Sequence, residues 1–214
     1  MNSDSPLIWL DGATGSLGQA VHNHLLASGY QVLALPRDAM DVAGWIQESG
    51  APAGLVCMSG VNLNRLLART KDVDWSQLLE ANLLHQSRLI QSLLPELMAQ
   101  GAGSIVLCSS LAARHPRSGQ VAYATSKGAV ESYVRGLARE IGGKNIRVNA
   151  VAPGFIDSPM FHEIPEKERT AILARIPLGR TGSPADVAAA VEFLLSDRST
   201  YLTGQTLRID GGAS

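Results

Sequence analysis

Tyr123 and Lys127 stand four positions apart at the start of an apolar stretch with helical period. At that spacing their side chains share one face of a helix. A free phenol titrates near 10, too high to exchange protons readily in both directions at neutral pH. An ammonium beside it favours the phenolate, so Lys127 should lower the value for Tyr123. The pair follows Ser109-Ser110 at the end of a predicted strand, where ligands gather in parallel sheets. A second candidate lies nearer the N-terminus. Asp11-Gly12-Ala13-Thr14-Gly15-Ser16-Leu17-Gly18 joins a strand to a helix. Glycines there permit a tight turn and close backbone approach, and the helix N-terminus favours an anionic phosphate.

The second strand ends in Pro36-Arg37, without the acidic residue that binds a bare ribose hydroxyl. An arginine suits a 2′-phosphate, although beside Asp38 it also reads as a solvated surface residue. His115, between Arg114 and Pro116, reads as a loop histidine; His22, His24, His85 and His162 show no ligand spacing, so no metal is expected. Cys57 and Cys108 sit in apolar stretches without a CxxC partner, as reduced core thiols do.

Strand-length apolar runs alternate with helix-period segments along the whole chain. Strands are predicted at 7–10, 30–35, 55–58, 104–108, 146–151 and 206–209, and helices at 18–28, 43–49, 74–100 and 123–141. Pro95 should kink or break the fourth-strand approach helix at 74–100. Ser183, with Pro184 and Asp186 behind it, should cap a last helix. Strands without polar alternation, separated by helices, imply an α/β, doubly wound parallel sheet covered on both faces. With no linker or repeat, residues 1–214 are expected to form one domain. Of the 214 residues 45 % are hydrophobic and 17 % charged, with a net charge of −1. That balance excludes a disordered chain and leaves no basic footprint for nucleic acid. No stretch is long enough for a membrane-spanning helix and no secretory signal is apparent, so a cytoplasmic protein is expected.

These motifs together resemble the short-chain dehydrogenase/reductase family, and most closely its 3-oxoacyl-(acyl carrier protein) reductase branch. Ser110 precedes Tyr123 by thirteen residues, and Tyr123-Ala-Thr-Ser-Lys127 is similar to the family signature. Asn82 in Glu-Ala-Asn-Leu-Leu matches the helical catalytic asparagine, and Arg147-Val-Asn-Ala-Val-Ala-Pro-Gly154 the segment flanking the nicotinamide. Gly179-Arg-Thr-Gly182 and 201–212 complete the pattern. The resemblance implies a Rossmann fold. It also implies that Tyr123 protonates a carbonyl oxygen, Ser110 holds that oxygen, Lys127 binds the nicotinamide ribose, and Asn82 anchors a water leading from Lys127 to solvent. The cofactor, NADP(H) in preference to NAD(H), is expected at Gly12, Thr14, Gly15, Ser16, Leu17, Gly18, Arg37, Asp41, Val42, Ser59, Gly60, Tyr123, Lys127, Pro153, Gly154, Ile156 and Ser158. Asp41-Val42 would lie near the adenine, and Ser158 would reach the carboxamide.

Three departures stand out. Asp11 replaces a threonine and Ser16 a glycine in the first turn; Cys57-Met58-Ser59-Gly60 replaces Asn-Asn-Ala-Gly; and the segment from Arg37 to Cys57 is short. The third strand and its flanking helix are therefore expected to be shortened or missing. Substrate is expected to be an acyl thioester, with an acyl carrier protein as its bearer, or another small ketone or alcohol such as a polyketide, sugar or cyclic alcohol. A non-catalytic dinucleotide sensor is the remaining alternative. Phe161, Ile164, Ile172 and Leu173 would suit an acyl chain or pack a lid helix, and Arg114, Arg117 and Arg169 are candidates for docking an acidic carrier. Family analogy implies a homo-oligomer, a tetramer or a dimer.

Overall fold

The computed structural model describes residues 5–36 and 40–214. Six strands form one sheet in the order β2-β1-β3-β4-β5-β6, every neighbour parallel. They are β1 (Leu7–Asp11), β2 (Gln31–Ala34), β3 (Gly54–Cys57), β4 (Gly103–Cys108), β5 (Ile146–Pro153) and β6 (Thr206–Ile209). Alternate residues of each central strand enter opposite cores. Trp9, Leu55, Ile105 and Val148 meet α2 (Val42–Ser49), α4 (His85–Gln100) and α5 (Val121–Ile141) on one face. Ile8, Leu10, Val56, Val106 and Val151 meet α1 (Ser16–Ala27) and α8 (Pro184–Leu195) on the other. Burial on both faces is why these strands read as unbroken apolar runs.

The chain steps outward from β1 to β2, crosses back over β1 to β3, and then moves steadily away to β6. That reversal opens a crevice at the carboxyl ends of β1 and β3, the place where such sheets bind ligands. Among the described residues a single helix, α2, joins β2 to β3, so the expected loss of one strand and one helix leaves β2 as a sheet edge. Trp45 of α2 packs edge-on against Trp9, ring centroids 5.6 Å apart, and pins this shortened connection to the core.

The helix break does not fall at Pro95. α4 runs through that proline, held on either side by fully buried Leu93 and Leu97, so packing outweighs one missing backbone hydrogen bond. The interruption is a π-helical turn, Glu80–Leu84, between α3 (Asp72–Leu79) and α4, and it contains Asn82. Two helices begin two residues early, α1 at Ser16 and α5 at Val121. Ser183 caps α8 as expected: its hydroxyl accepts from Asp186 N at 3.2 Å, and Asp186 Oδ2 accepts from Ser183 N at 2.7 Å. At the far end of α8, Arg147 donates to the carbonyls of Leu194, Leu195 and Ser196, satisfying acceptors the last turn leaves open. Two short helices, α6 (Pro159–His162) and α7 (Glu166–Leu173), follow β5.

Candidate active site

A cavity of about 750 Å³ lies over the carboxyl ends of β3, β4 and β5. It brings together Ser16, Leu17, Gly60, Ser110, Tyr123, Lys127, Pro153, Gly154, Ile156 and Ser158, ten of the residues singled out from the sequence. β4 ends at Cys108 and delivers Ser110 into a short turn, where its hydroxyl accepts from Ala112 N at 3.2 Å. Its hydrogen is then free to turn toward the Tyr123 phenol on the same cavity. Neighbouring Ser109, buried in the same wall, donates its hydroxyl to Lys127 O at 3.1 Å.

The expected lowering of the Tyr123 pKa does not occur in this state. Burial disfavours the phenolate and pushes Tyr123 up to about 12, against a smaller opposing effect of the Ser110 hydrogen bond. Lys127 does not offset the burial; its Nζ donates to Cys108 O at 2.7 Å. Lys127 is itself buried, and that burial lowers its pKa.

Asn82 is fully buried beneath this pair. Its Oδ1 accepts from Val61 N at 2.7 Å, and its Nδ2 donates to Val61 O at 3.0 Å and to Ser126 Oγ at 2.8 Å. Ser126 in turn donates to Tyr123 O at 2.7 Å. The asparagine side chain thus ties the loop after β3 to the catalytic face of α5. A Cβ on Gly60 would come within 2.8 Å of Asn82 Oδ1 and 3.1 Å of Lys127 Nζ, so this position needs glycine for close approach.

The first turn is shaped for an anion. Gly12 has φ +79°, and a side chain there would collide with the backbone of Met58 and Ser59. One at Gly18 would collide with Gly12 O, whereas Gly15 meets nothing closer than 3.7 Å. The shifted glycine spacing therefore keeps the two glycines that packing requires. Thr14, Gly15 and Ser16 are exposed, and α1 opens with no side chain capping its free amides.

Two departures from the family pattern meet in space. Asp11, buried at the end of β1, accepts a hydrogen bond from the Ser59 hydroxyl. Gln86 Nε2 donates to Ser59 O at 2.8 Å, and His85 Nε2 lies 3.6 Å from Asp11 Oδ1. The acid and the serine replace the missing contacts of each other, across 48 positions in the chain. Asp11, His85 and Gln86 were not among the expected site residues. The only signal was that Asp11 and Ser59 depart together.

Asp41 and Val42 are not brought to this cavity. Val42 is buried, and Asp41 Oδ1 caps α2 by accepting from Gly44 N at 2.9 Å. Both line a separate groove with Ser92, Pro95 and Glu96, because the shortened connection carries them straight into α2. Arg37 lies outside the described residues. The lid residues Phe161, Ile164, Ile172 and Leu173 all join a small core with Ile176 and Phe155, and of the four only Phe161 and Ile164 also line the cavity. Ser158 lines the cavity without using its hydroxyl as a helix cap. Arg114 is committed to Glu131 at 3.0 Å and Arg169 to His162 O at 3.1 Å. No helix among the described residues is long and apolar enough to cross a membrane.

Comparison with known proteins agrees with this geometry. A family model described as enoyl-(acyl carrier protein) reductase matches residues 36–214. The chain is similar to the 3-oxoacyl-[acyl-carrier-protein] reductase of Thermotoga maritima, 44 % identical over 167 residues, covering 78 % of this chain and 68 % of the relative. It is similar to that of Escherichia coli K12, 34 % identical over 198 residues, 91 % of this chain and 81 % of the relative. With that of Salmonella typhimurium it is 30 % identical over 240 residues, 99 % of this chain and 98 % of the relative. An alignment of that length must carry gaps within a 214-residue chain, consistent with the short connection between β2 and β3.

Proposed function

Because the chain belongs to the short-chain dehydrogenase/reductase family, we propose that it is an NADP(H)-dependent reductase of 3-oxoacyl thioesters, acting on them as borne by an acyl carrier protein. The observation that carries this reading is the convergence of two hydroxyls, Ser110 and Tyr123, on one cavity together with Lys127. Two hydroxyls on one cavity suit a single substrate oxygen, which is what a ketone presents. The Gly12 and Gly18 contacts and the uncapped start of α1 fit the pyrophosphate of a dinucleotide. Ser16 and Leu17 would flank it, while Ile156, Ser158 and Lys127 would hold the nicotinamide half. Thr14, Gly15, Pro153, Gly154 and Gly60 supply close backbone, and Ser59 holds that backbone in place.

When bound, the nicotinamide supplies the hydride. Ser110 donates a hydrogen bond to the carbonyl oxygen and stabilises the charge that develops there. Tyr123, protonated at neutral pH, delivers its Oη proton to that oxygen. Lys127 Nζ, now on Cys108 O, would turn to the ribose hydroxyls. Asn82 keeps the wall of the loop after β3 in register with α5 and lies where the family routes a water from the lysine. In this reading residues 1–214 act as one domain, in the cytoplasm, as a homo-oligomer.

The matching family description names an enoyl reductase, whose substrate presents a carbon–carbon double bond. Oxidation of NADPH followed with a 3-oxoacyl thioester, an enoyl thioester and a simple ketone separates the readings. The 3-oxoacyl thioester is expected to be reduced fastest. Preference for the enoyl thioester or for the simple ketone would overturn the substrate class, and no turnover of any would leave the sensor alternative.

A further inference from the structure

Among the described residues Arg117 is the one arginine lining the catalytic cavity, and it is held there by three independent features. Its backbone N–H donates to Gln120 Oε1 at 2.9 Å, and Gln120, itself buried, donates to Asn64 Oδ1 at 3.2 Å. The same loop is clamped from outside by Arg65 N donating to Gly119 O at 2.7 Å. The guanidinium then lies over the Phe155 ring, 5.6 Å from its centroid, and Phe155 packs edge-on against Phe161 at 6.3 Å. Among the described residues no carboxylate is within ion-pair distance of Arg117, although Glu163 and Glu168 line the same cavity. Every other arginine considered for docking already serves a partner inside the fold.

Depth orders the charges. Lys127 is buried, Tyr123 is half-buried and Arg117 is exposed at the mouth. A ligand with its reacting carbonyl at Tyr123 and an anion at the far end of a flexible arm would meet that order. Acyl thioesters on a phosphopantetheine arm have this form. A planar, stacked guanidinium with free N–H groups is suited to a phosphate by its forked geometry. Resting on the thioester reading above, we propose that Arg117 binds the phosphate of the pantetheine arm and selects phosphopantetheine-borne substrates.

The test compares acetoacetyl-4′-phosphopantetheine with acetoacetyl-pantetheine, which lacks only the phosphate, using NADPH and the full chain. For the unaltered protein kcat/KM should be higher for the phosphorylated thioester. Arg117→Gln should reduce that preference about tenfold through KM, the size of one charge-assisted hydrogen bond. Arg117→Lys, which keeps the charge but not the fork, should retain part of it. Equal losses on both thioesters would overturn the proposal and mark Arg117 as part of the cavity wall or a partner for the lid carboxylates. An unchanged preference in Arg117→Gln would overturn it too. If the unaltered protein reduces simple ketones but neither thioester, the substrate class itself falls, and the phosphate role with it.

Discussion

In the proposed mechanism Tyr123 and Lys127 divide one task between a proton and a charge. Tyr123→Phe removes only the transferable proton, so reduction should fall below a tenth of wild type while the cofactor dissociation constant stays within about twofold. Lys127→Ala should impair both quantities, and an unchanged dissociation constant would remove its ribose-binding role. With its pKa at about 12, the phenol is protonated across the working range and fully available as an acid. The reverse reaction needs the phenolate, whose share grows about tenfold per pH unit below that value. Alcohol oxidation should therefore climb between about pH 7 and 9, while reduction shows no matching limb. A plateau in oxidation below about pH 8 would mean that the loaded enzyme brings the phenol down, with Lys127 turned from Cys108 toward it.

At the level of elements, the floor of the crevice depends on the contact between the end of β1 and the loop after β3. Gly12 packs on the Met58–Ser59 backbone, and Asp11 accepts from the Ser59 hydroxyl, so the glycine-rich turn and the loop are joined at two points. Removing the serine hydroxyl leaves a buried carboxylate short of a donor, which costs more than the bond itself contributes. Asp11→Ala and Ser59→Ala should each weaken binding of NADPH, and together they should cost less than their sum by about 1–3 kcal/mol. Additive losses in calorimetric titrations of the four proteins would show that the two departures arose without coupling. Asn82 plays the matching part on the other side. Its π-helical turn lets one amide bond Val61 twice and still reach Ser126.

For the molecule as a whole, on the proposed reading the missing strand would thin the wall beside the adenosine half of the crevice. β2 is the sheet edge, and Asp41 and Val42 face a groove of their own. Affinity should then lean on the phosphates, at the Gly12–Gly18 turn and at Arg37, more than on the adenine ring. Arg37→Ala should lose one charge-assisted contact with a 2′-phosphate, roughly 1.5–3 kcal/mol, which is about tenfold or more in NADPH affinity. NADH, which lacks that phosphate, should bind nearly as before. Parallel titrations of both cofactors decide it, and equal losses would remove Arg37 from the 2′-phosphate and end the preference for NADP(H).

Sequence alone determined the parallel α/β sheet, the loss of one strand, the phosphate turn and the set Ser110, Tyr123 and Lys127. Each of these is written in local spacing: unbroken apolar runs for strands buried on two faces, glycines between a strand and a helix, two side chains one helical turn apart. What tertiary structure decided were matters of burial and of distant partners. The sign of the Tyr123 shift depends on how deeply the phenol is buried, and that does not follow from a spacing of four. Asp41 became a helix cap, Pro95 stayed inside a helix, and of the four lid residues in one small core only two also reached the cavity, each according to what packed against it. Asp11 and Ser59 looked like two separate losses until the fold set β1 beside β3 and made them one hydrogen bond.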